Sequence, residues 1–121
     1  MKPLLLVSVV VEASTGLGLL VAPSALAQLL IGAPLEAPAA VTIAHACGTA
    51  LLALALACWL ARENGRAMVV TMLFYNLAVA AVLAHAALGL GLSGVGLWPA
   101  VGLHIALAVW CAVAPKSTVA H

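Results

Sequence analysis

Charged and aromatic side chains are scarce in this chain of 121 residues. Asp, Glu, Lys and Arg together make up 6% of the residues, and aromatic residues make up 4%. An ordinary soluble domain carries roughly 25% charged residues, so this composition excludes a soluble globular fold. The formal net charge is only +1, which argues against a nucleic-acid partner, because such a partner requires a basic face to neutralise its phosphates.

The sequence also lacks the signatures of several enzyme classes. It contains no paired carboxylates, no phosphate-binding loop and no nucleophile with a recognisable base. Its three cysteines, Cys47, Cys58 and Cys111, follow no C-x-x-C or zinc-type spacing, and we interpret them as small packing residues. We therefore expect a protein that is not itself an enzyme.

Apolar residues are what the chain has in abundance. They make up 67% of the sequence, and the mean hydropathy is +1.31. A helix needs about 20 apolar residues to cross the ~30 Å hydrocarbon core of a bilayer. Four stretches predict membrane spans, at residues 3–22, 38–60, 67–90 and 97–114. Their short connections favour an all-α integral membrane protein, with a single domain (residues 1–121) built as an antiparallel four-helix transmembrane bundle.

The segment after the first predicted span carries signals for a short helix. Pro23 stands at its beginning and Gly32 at its end, which are favourable positions for these residue types. Leu26, Leu29 and Leu30 would share one face, as in an interfacial helix lying on the membrane surface. Two alternatives stay open: the first span continues through this segment, or the first apolar run is a cleaved signal peptide.

The positive charges predict the orientation in the membrane. All four cations fall on one side of a four-span path: Lys2, Arg62, Arg66 and Lys116. Because Lys and Arg near helix ends are retained on the cytoplasmic side, we expect both termini in the cytoplasm. Trp59 and Trp110 would then lie at the inner interface and Trp98 at the outer interface, where indole rings are enriched.

Small residues on the first two spans predict close helix contacts. Gly16 and Gly18 lie on the first span, and Ala44 and Gly48 lie on the second. Helices in lipid associate through such small residues, because their backbones can then approach closely. We expect these faces to support packing within the bundle or association with other subunits.

Glu12 is predicted to lie near the middle of the membrane. The helix rise places it about 14 Å into the first span, and Ser8 and Thr15 share its helix face. Asn76 is predicted at a similar depth on the third span, and Tyr75 adds a hydroxyl beside it. Glu12 and Asn76 could form a hydrogen bond that holds two helices together. Alternatively, this intramembrane polar group forms a proton or ligand site.

Three histidines are predicted at one level, about 7 to 10 Å below the outer surface. They are His45, His85 and His104, each on a different span. Imidazole can ligate haem iron or another metal, and it can relay protons. A haem or quinone pocket, a metal site, a proton path and three independent histidines all remain open. His85 lies nine residues from Asn76, which places the two on opposite helix faces, so they cannot line one site.

Several motifs together are similar to those of a known group of membrane proteins. Glu12 is followed by TGLG at residues 15–18 and LLIGAPL at residues 29–35, and later motifs are CWLAR at 58–62, YN at 75–76 and LWPA at 97–100 with His104. This pattern resembles uncharacterised bacterial four-span membrane proteins of the broad DoxX-like type. The resemblance implies a location in the bacterial inner membrane. Because some DoxX-like proteins are small subunits of quinone-linked oxidoreductases, it also favours a quinone or haem cofactor.

These features favour a non-enzymatic membrane protein embedded in the lipid bilayer. It would be an accessory or scaffold subunit, or a binder of a small apolar ligand, in a homo-oligomer or a larger membrane complex. One alternative is an electron-transfer subunit that binds haem or quinone through His45, His85 or His104. Another is a small proton-coupled carrier or channel that includes Glu12.

Overall fold

The fold consists of helices and turns. The structure is a computed structural model, and it describes residues 2–115. Within that range it contains five helices and no β-strand: α1 (Lys2–Val21), α2 (Pro23–Ile31), α3 (Pro38–Leu60), α4 (Arg66–Leu88) and α5 (Leu97–Val113). The predicted all-α class is confirmed. Lys116, one of the four cations used to predict the orientation, lies outside the described residues.

The helices present an apolar exterior. α1, α3 and α4 are each long and apolar enough to cross a membrane, and α5 is a shorter apolar helix of 17 residues. Large apolar side chains are exposed on all four, including Val10, Leu17, Ile43, Phe74, Val82, Ile105 and Val109. An apolar surface of this extent marks a site of contact with lipid or other apolar partners. The chain is therefore a membrane protein with at least three helices able to span the bilayer.

The short helix predicted after the first span is present as α2. Pro23 begins it, and Gly32 ends it with a positive φ of 73° while donating its backbone N–H to the Gln28 carbonyl. Ala22 separates α1 from α2 because its backbone is not helical (φ −141°, ψ 62°). α2 is thus a helix of its own and not a continuation of α1.

The main helix contacts are α1 with α3 and α4 with α5. α1 and α3 approach closely at two glycines. A Cβ atom added to Gly16 would lie 2.8 Å from the Gly48 carbonyl oxygen, and one added to Gly48 would lie 2.7 Å from the Gly16 carbonyl oxygen. Ala44 is buried one turn away. The predicted contact is confirmed at Gly16 and Gly48, whereas Gly18 faces Leu26 of α2.

The apolar core lies at the end of the bundle where α1 begins. Buried side chains from α1, α3, α4 and α5 form a cluster there: Leu4, Leu5, Cys58, Val69, Met72, Leu107 and Cys111. Residues early in α1 and α4 thus meet residues late in α3 and α5, so the helices of each packed pair run antiparallel. Cys58 and Cys111 pack in this cluster as free thiols, as predicted.

The same end carries the positive charges. Lys2 Nζ lies 2.7 Å from Glu63 Oε1, which joins the start of α1 to the turn between α3 and α4. In that turn, the guanidinium of Arg62 lies 4.0 Å from the centroid of the Trp59 ring, and Arg66 begins α4. We call the end defined by Lys2, Arg62 and Arg66 the basic end.

At the opposite end, α2 packs against the turn that leads into α5. The Gly96 N–H donates to the Leu29 carbonyl over 2.8 Å. A Cβ atom at Gly94 would overlap the backbone of Leu29 and Leu30, so this turn requires glycine. Leu97, the first residue of α5, is fully buried. α2 therefore covers the beginning of α5.

Candidate functional site

A cavity of about 420 Å³ lies between the helices, next to the covering helix α2. Each of the five helices contributes to its wall, and most of the lining side chains are apolar. Its polar lining comes from Glu12, Thr15, Tyr75 and His104, together with the thiol of Cys47. Pockets of roughly 300–1,000 Å³ with an apolar lining and a few polar groups are typical binding sites for small molecules.

Glu12 supplies the carboxyl group of this cavity. Its side chain is 1% exposed, in the middle of α1. The Tyr75 hydroxyl donates a hydrogen bond of 2.7 Å to Glu12 Oε2, whereas Oε1 is buried with no hydrogen-bond partner among residues 2–115. An unpaired buried polar atom costs about 1–3 kcal/mol, and more when it is charged. Oε1 is therefore an unsatisfied buried atom of a side chain that lines the cavity.

His104 and Asn76 form the second polar pair. Asn76 is fully buried and His104 is 8% exposed. The Asn76 amide Nδ2 donates to the Met72 carbonyl over 2.8 Å, so its Oδ1 is the atom that faces His104 Nδ1, at 2.7 Å. A carbonyl oxygen only accepts, and Nδ1 must therefore carry the hydrogen. In the neutral imidazole, this leaves Nε2 as an acceptor.

The two pairs are neighbours because Tyr75 and Asn76 are consecutive in α4. The rings of Tyr75 and His104 meet edge to face, with centroids 6.0 Å apart and an interplanar angle of 76°. α4 thus connects to α1 through Glu12 and to α5 through His104. We call these four residues, Glu12, Tyr75, Asn76 and His104, the polar quartet.

The predicted hydrogen bond between Glu12 and Asn76 is not formed. Tyr75 reaches Glu12 instead, and Asn76 is turned toward α5. Successive residues of a helix point about 100° apart, so two neighbours on α4 bond to two different helices. The prediction was right in bringing α1 and α4 together through Glu12, but it assigned the wrong partner.

Ser8 and Thr15 contribute less to the site than Glu12 does. The Ser8 hydroxyl donates to the Leu4 carbonyl over 3.0 Å, and the Thr15 hydroxyl donates to the Val11 carbonyl over 2.9 Å. Both bonds lie within α1 and so satisfy the hydroxyl donors locally. Thr15 still lines the cavity, whereas Ser8 does not.

The three predicted histidines do not share a site. Only His104 lines the cavity, whereas His45 and His85 are exposed on the outside of the bundle. On α3, Ala44 is buried, whereas the next residue, His45, is exposed. No cluster of three or more His, Cys, Asp or Glu side chains that could hold a metal ion occurs in the part of the chain that the structure describes.

These placements do not fit a haem ligated by two of the predicted histidines. A second axial imidazole would have to face His104 across the cavity, and neither of the other two does so. Exposed His85 and buried Asn76 lie on different faces of α4, as their nine-residue separation predicts.

Comparison of the chain with models of protein families, with curated proteins and with solved structures finds no match. The resemblance to DoxX-like proteins thus stays a prediction from the motifs. The site has to be interpreted from its own geometry.

Proposed function

We propose that this protein binds a small, largely apolar molecule in the cavity between its helices, within the bacterial inner membrane. One observation carries the proposal: a cavity of about 420 Å³ with an apolar lining lies inside a bundle whose outer surface is also apolar. Binding energy would come mainly from burial of apolar ligand surface. The polar quartet would orient the ligand.

A four-span topology accounts for the arrangement of the helices. α1, α3 and α4 are long enough to cross, and α5, at 17 residues, extends about 26 Å. α5 packs along α4 and exposes Ile105 and Val109, as expected of a lipid-facing helix. In this topology α2 is the interfacial helix at the outer surface. The basic end and both termini face the cytoplasm, in agreement with the retention of Lys and Arg there.

The cavity can be reached from the side of the bundle. Cys47 on α3 is exposed, Leu103 on α5 is 41% exposed, and both line the cavity. A molecule dissolved in the lipid can therefore enter without crossing water. The same cavity would also serve a subunit of a quinone-linked oxidoreductase, as the DoxX-like resemblance implies.

The proposal is tested on protein purified from its native membrane and placed in lipid nanodiscs. Native mass spectrometry of wild-type protein is expected to find a bound lipid-soluble molecule, and solvent extraction identifies it, a quinone included. Ala100→Phe fills the cavity, because Ala100 lines it, and should abolish binding. Ala106→Phe adds the same ring on the exposed face of α5 and should retain binding.

Two results would contradict the proposal. In the first, wild-type protein carries no such molecule and takes up no added apolar probe. In the second, Ala100→Phe and wild type bind equally well although both are folded.

A further inference from the structure

The hydrogen-bond donors of the cavity wall are already used. The Tyr75 hydroxyl donates to Glu12 Oε2, and the Thr15 hydroxyl donates to the Val11 carbonyl. Cys47 contributes a thiol, which is a weak donor. With Glu12 ionised, no strong side-chain donor is therefore available to a ligand among the described residues that line the cavity.

Two acceptors, in contrast, have no hydrogen-bond partner among residues 2–115. Glu12 Oε1 is buried and makes no hydrogen bond within residues 2–115. His104 Nε2 is the acceptor of a ring whose Nδ1 hydrogen is held by Asn76. The two side chains line the same cavity from α1 and α5.

We infer that the ligand of this cavity is an apolar molecule that carries a hydrogen-bond-donating hydroxyl group, such as a phenol or an alcohol, and that Glu12 Oε1 receives the hydrogen bond of this hydroxyl. This inference rests on the proposed function, since it names the chemical class of the apolar molecule. A ligand with acceptor groups alone would leave both protein acceptors unpaired, at a cost in affinity.

A neutral hydroxyl fits the wall better than an ammonium group does. An ammonium has three donors, whereas the wall offers two unpaired acceptors from Glu12 and His104. A charged group is also costly to bring into the hydrocarbon region. The hydroxyl needs one acceptor, and the apolar lining accommodates the rest of the molecule.

The chain allows this inference to be tested with a label at the site itself. Tyr75 is the only tyrosine of the sequence and Phe74 the only phenylalanine. Tyr75 lines the cavity, whereas Phe74, its neighbour, is 75% exposed. Protein in nanodiscs, labelled with ¹³C in both aromatic rings, thus carries one NMR probe inside the cavity and one control probe facing lipid.

The labelled protein is titrated with 4-propylphenol and with 4-propyltoluene, in which a methyl group replaces the hydroxyl. Uptake by empty nanodiscs is subtracted. Both probes should shift the Tyr75 signals and leave those of Phe74 unchanged. The phenol should bind about tenfold more tightly than 4-propyltoluene, because a hydrogen bond to a carboxylate raises the affinity roughly tenfold or more. This comparison uses wild-type protein and does not depend on any variant folding.

The outcomes separate the inference from the proposed function. If neither probe shifts Tyr75, the apolar-binding function itself fails. If both bind with equal affinity, the cavity binds apolar molecules but the preference for a hydroxyl donor is overturned. Tighter binding of 4-propylbenzylamine than of the phenol would overturn the assignment to a neutral hydroxyl.

Glu12→Gln tests the role of the carboxyl group. The amide keeps an oxygen for the Tyr75 hydroxyl but replaces the unpaired acceptor with an N–H₂ donor. The preference for the phenol over 4-propyltoluene should fall to about twofold or less. Glu36→Gln makes the same change at an exposed position and should keep the full preference. A full preference in Glu12→Gln would show that Glu12 is not the acceptor.

Discussion

Tyr75 and Asn76 are consecutive residues of α4, yet their side chains form hydrogen bonds to two different helices. Tyr75 donates to Glu12 of α1 over 2.7 Å, and Asn76 accepts from His104 of α5 over 2.7 Å. α1 has its main contacts with α3, and α5 has its main contacts with α4. The Glu12–Tyr75 bond therefore holds the two helix pairs together across the cavity.

The bond between Asn76 and His104 should be measurable by a double-mutant cycle. Asn76→Ala leaves the His104 Nδ1 hydrogen unpaired in a buried position, and we expect the free energy of unfolding to fall by about 1–3 kcal/mol. Asn76→Ala, His104→Ala and the double variant, unfolded by SDS in mixed micelles, should give a coupling energy of about 0.6–2 kcal/mol. A coupling energy of zero would mean that the bond contributes nothing. Thr71→Ala is the control, since that exposed hydroxyl bonds only to its own helix and its removal should change little.

Two Gly→Ala substitutions should have opposite effects on stability, because only one of them lies at the contact between α1 and α3. In Gly16→Ala the new Cβ would lie 2.8 Å from the Gly48 carbonyl oxygen, so α1 and α3 must move apart, at a cost of about 1–3 kcal/mol. In Gly102→Ala, on α5, the new Cβ meets nothing within 4 Å, and the higher helix propensity of alanine should stabilise by up to about 1 kcal/mol. Thermal unfolding in detergent measures both. Equal melting temperatures for the two variants would contradict the close approach.

The ion pair at the basic end predicts a pH-dependent contribution to stability. Hydrogen bonding to Lys2 and the positive charge of Lys2 lower the pKa of Glu63 from its ordinary value of 4.5, and Arg62 adds to the effect. Because the pKa is lowered in the folded state, the stabilisation is present above the ordinary pKa and is lost as the pH falls through the lowered pKa.

Glu63→Gln should therefore melt slightly below wild type at pH 7. The difference should disappear at acidic pH well below 4.5 and shrink at high salt, because the pair is exposed. In a Lys2→Gln background, Glu63→Gln should have a smaller effect at pH 7. A difference that grew on acidification would have the wrong sign for this pair.

The proposed four-span topology predicts which turns face outward. With the native cysteines replaced by alanine, a single cysteine at Ala37, between α2 and α3, should react with a membrane-impermeant maleimide in intact cells. One at Asn64, in the turn at the basic end, should react only after the cells are opened. Green fluorescent protein fused after residue 121 should fluoresce. The reverse labelling pattern would invert the orientation, and labelling of both positions from outside would contradict the topology.

The sequence predicts the helices closely because residues that start or end helices are easy to recognise. Pro38 begins α3 where the predicted second span begins, and α5 begins at the predicted Leu97. The charged turn before Arg66 separates α3 from α4 as expected. Long apolar runs and the residues that interrupt them thus determine the bounds to within two residues.

The sequence cannot predict which way each helix faces. Residues on α3 and α4 are apolar almost all round, so no polar side shows which face meets the other helices. The pairing of Asn76 with His104 and the outward position of His45 depend on this rotation. The sequence could predict only how two residues of the same helix are oriented relative to each other. Asn76 and His85 both lie on α4, and their nine-residue spacing places them on different faces.

The contact of α2 with the turn before α5 has a consequence for biosynthesis. Leu29 leaves the ribosome long before Gly96, to which it bonds, and chains begin to fold from their N-terminal part during synthesis. α2 has no partner at this position until the turn before α5 has been synthesised. Closure of the cavity by α2 therefore comes late in synthesis, and truncated chains that end before residue 96 would lack both this contact and the wall that α5 contributes.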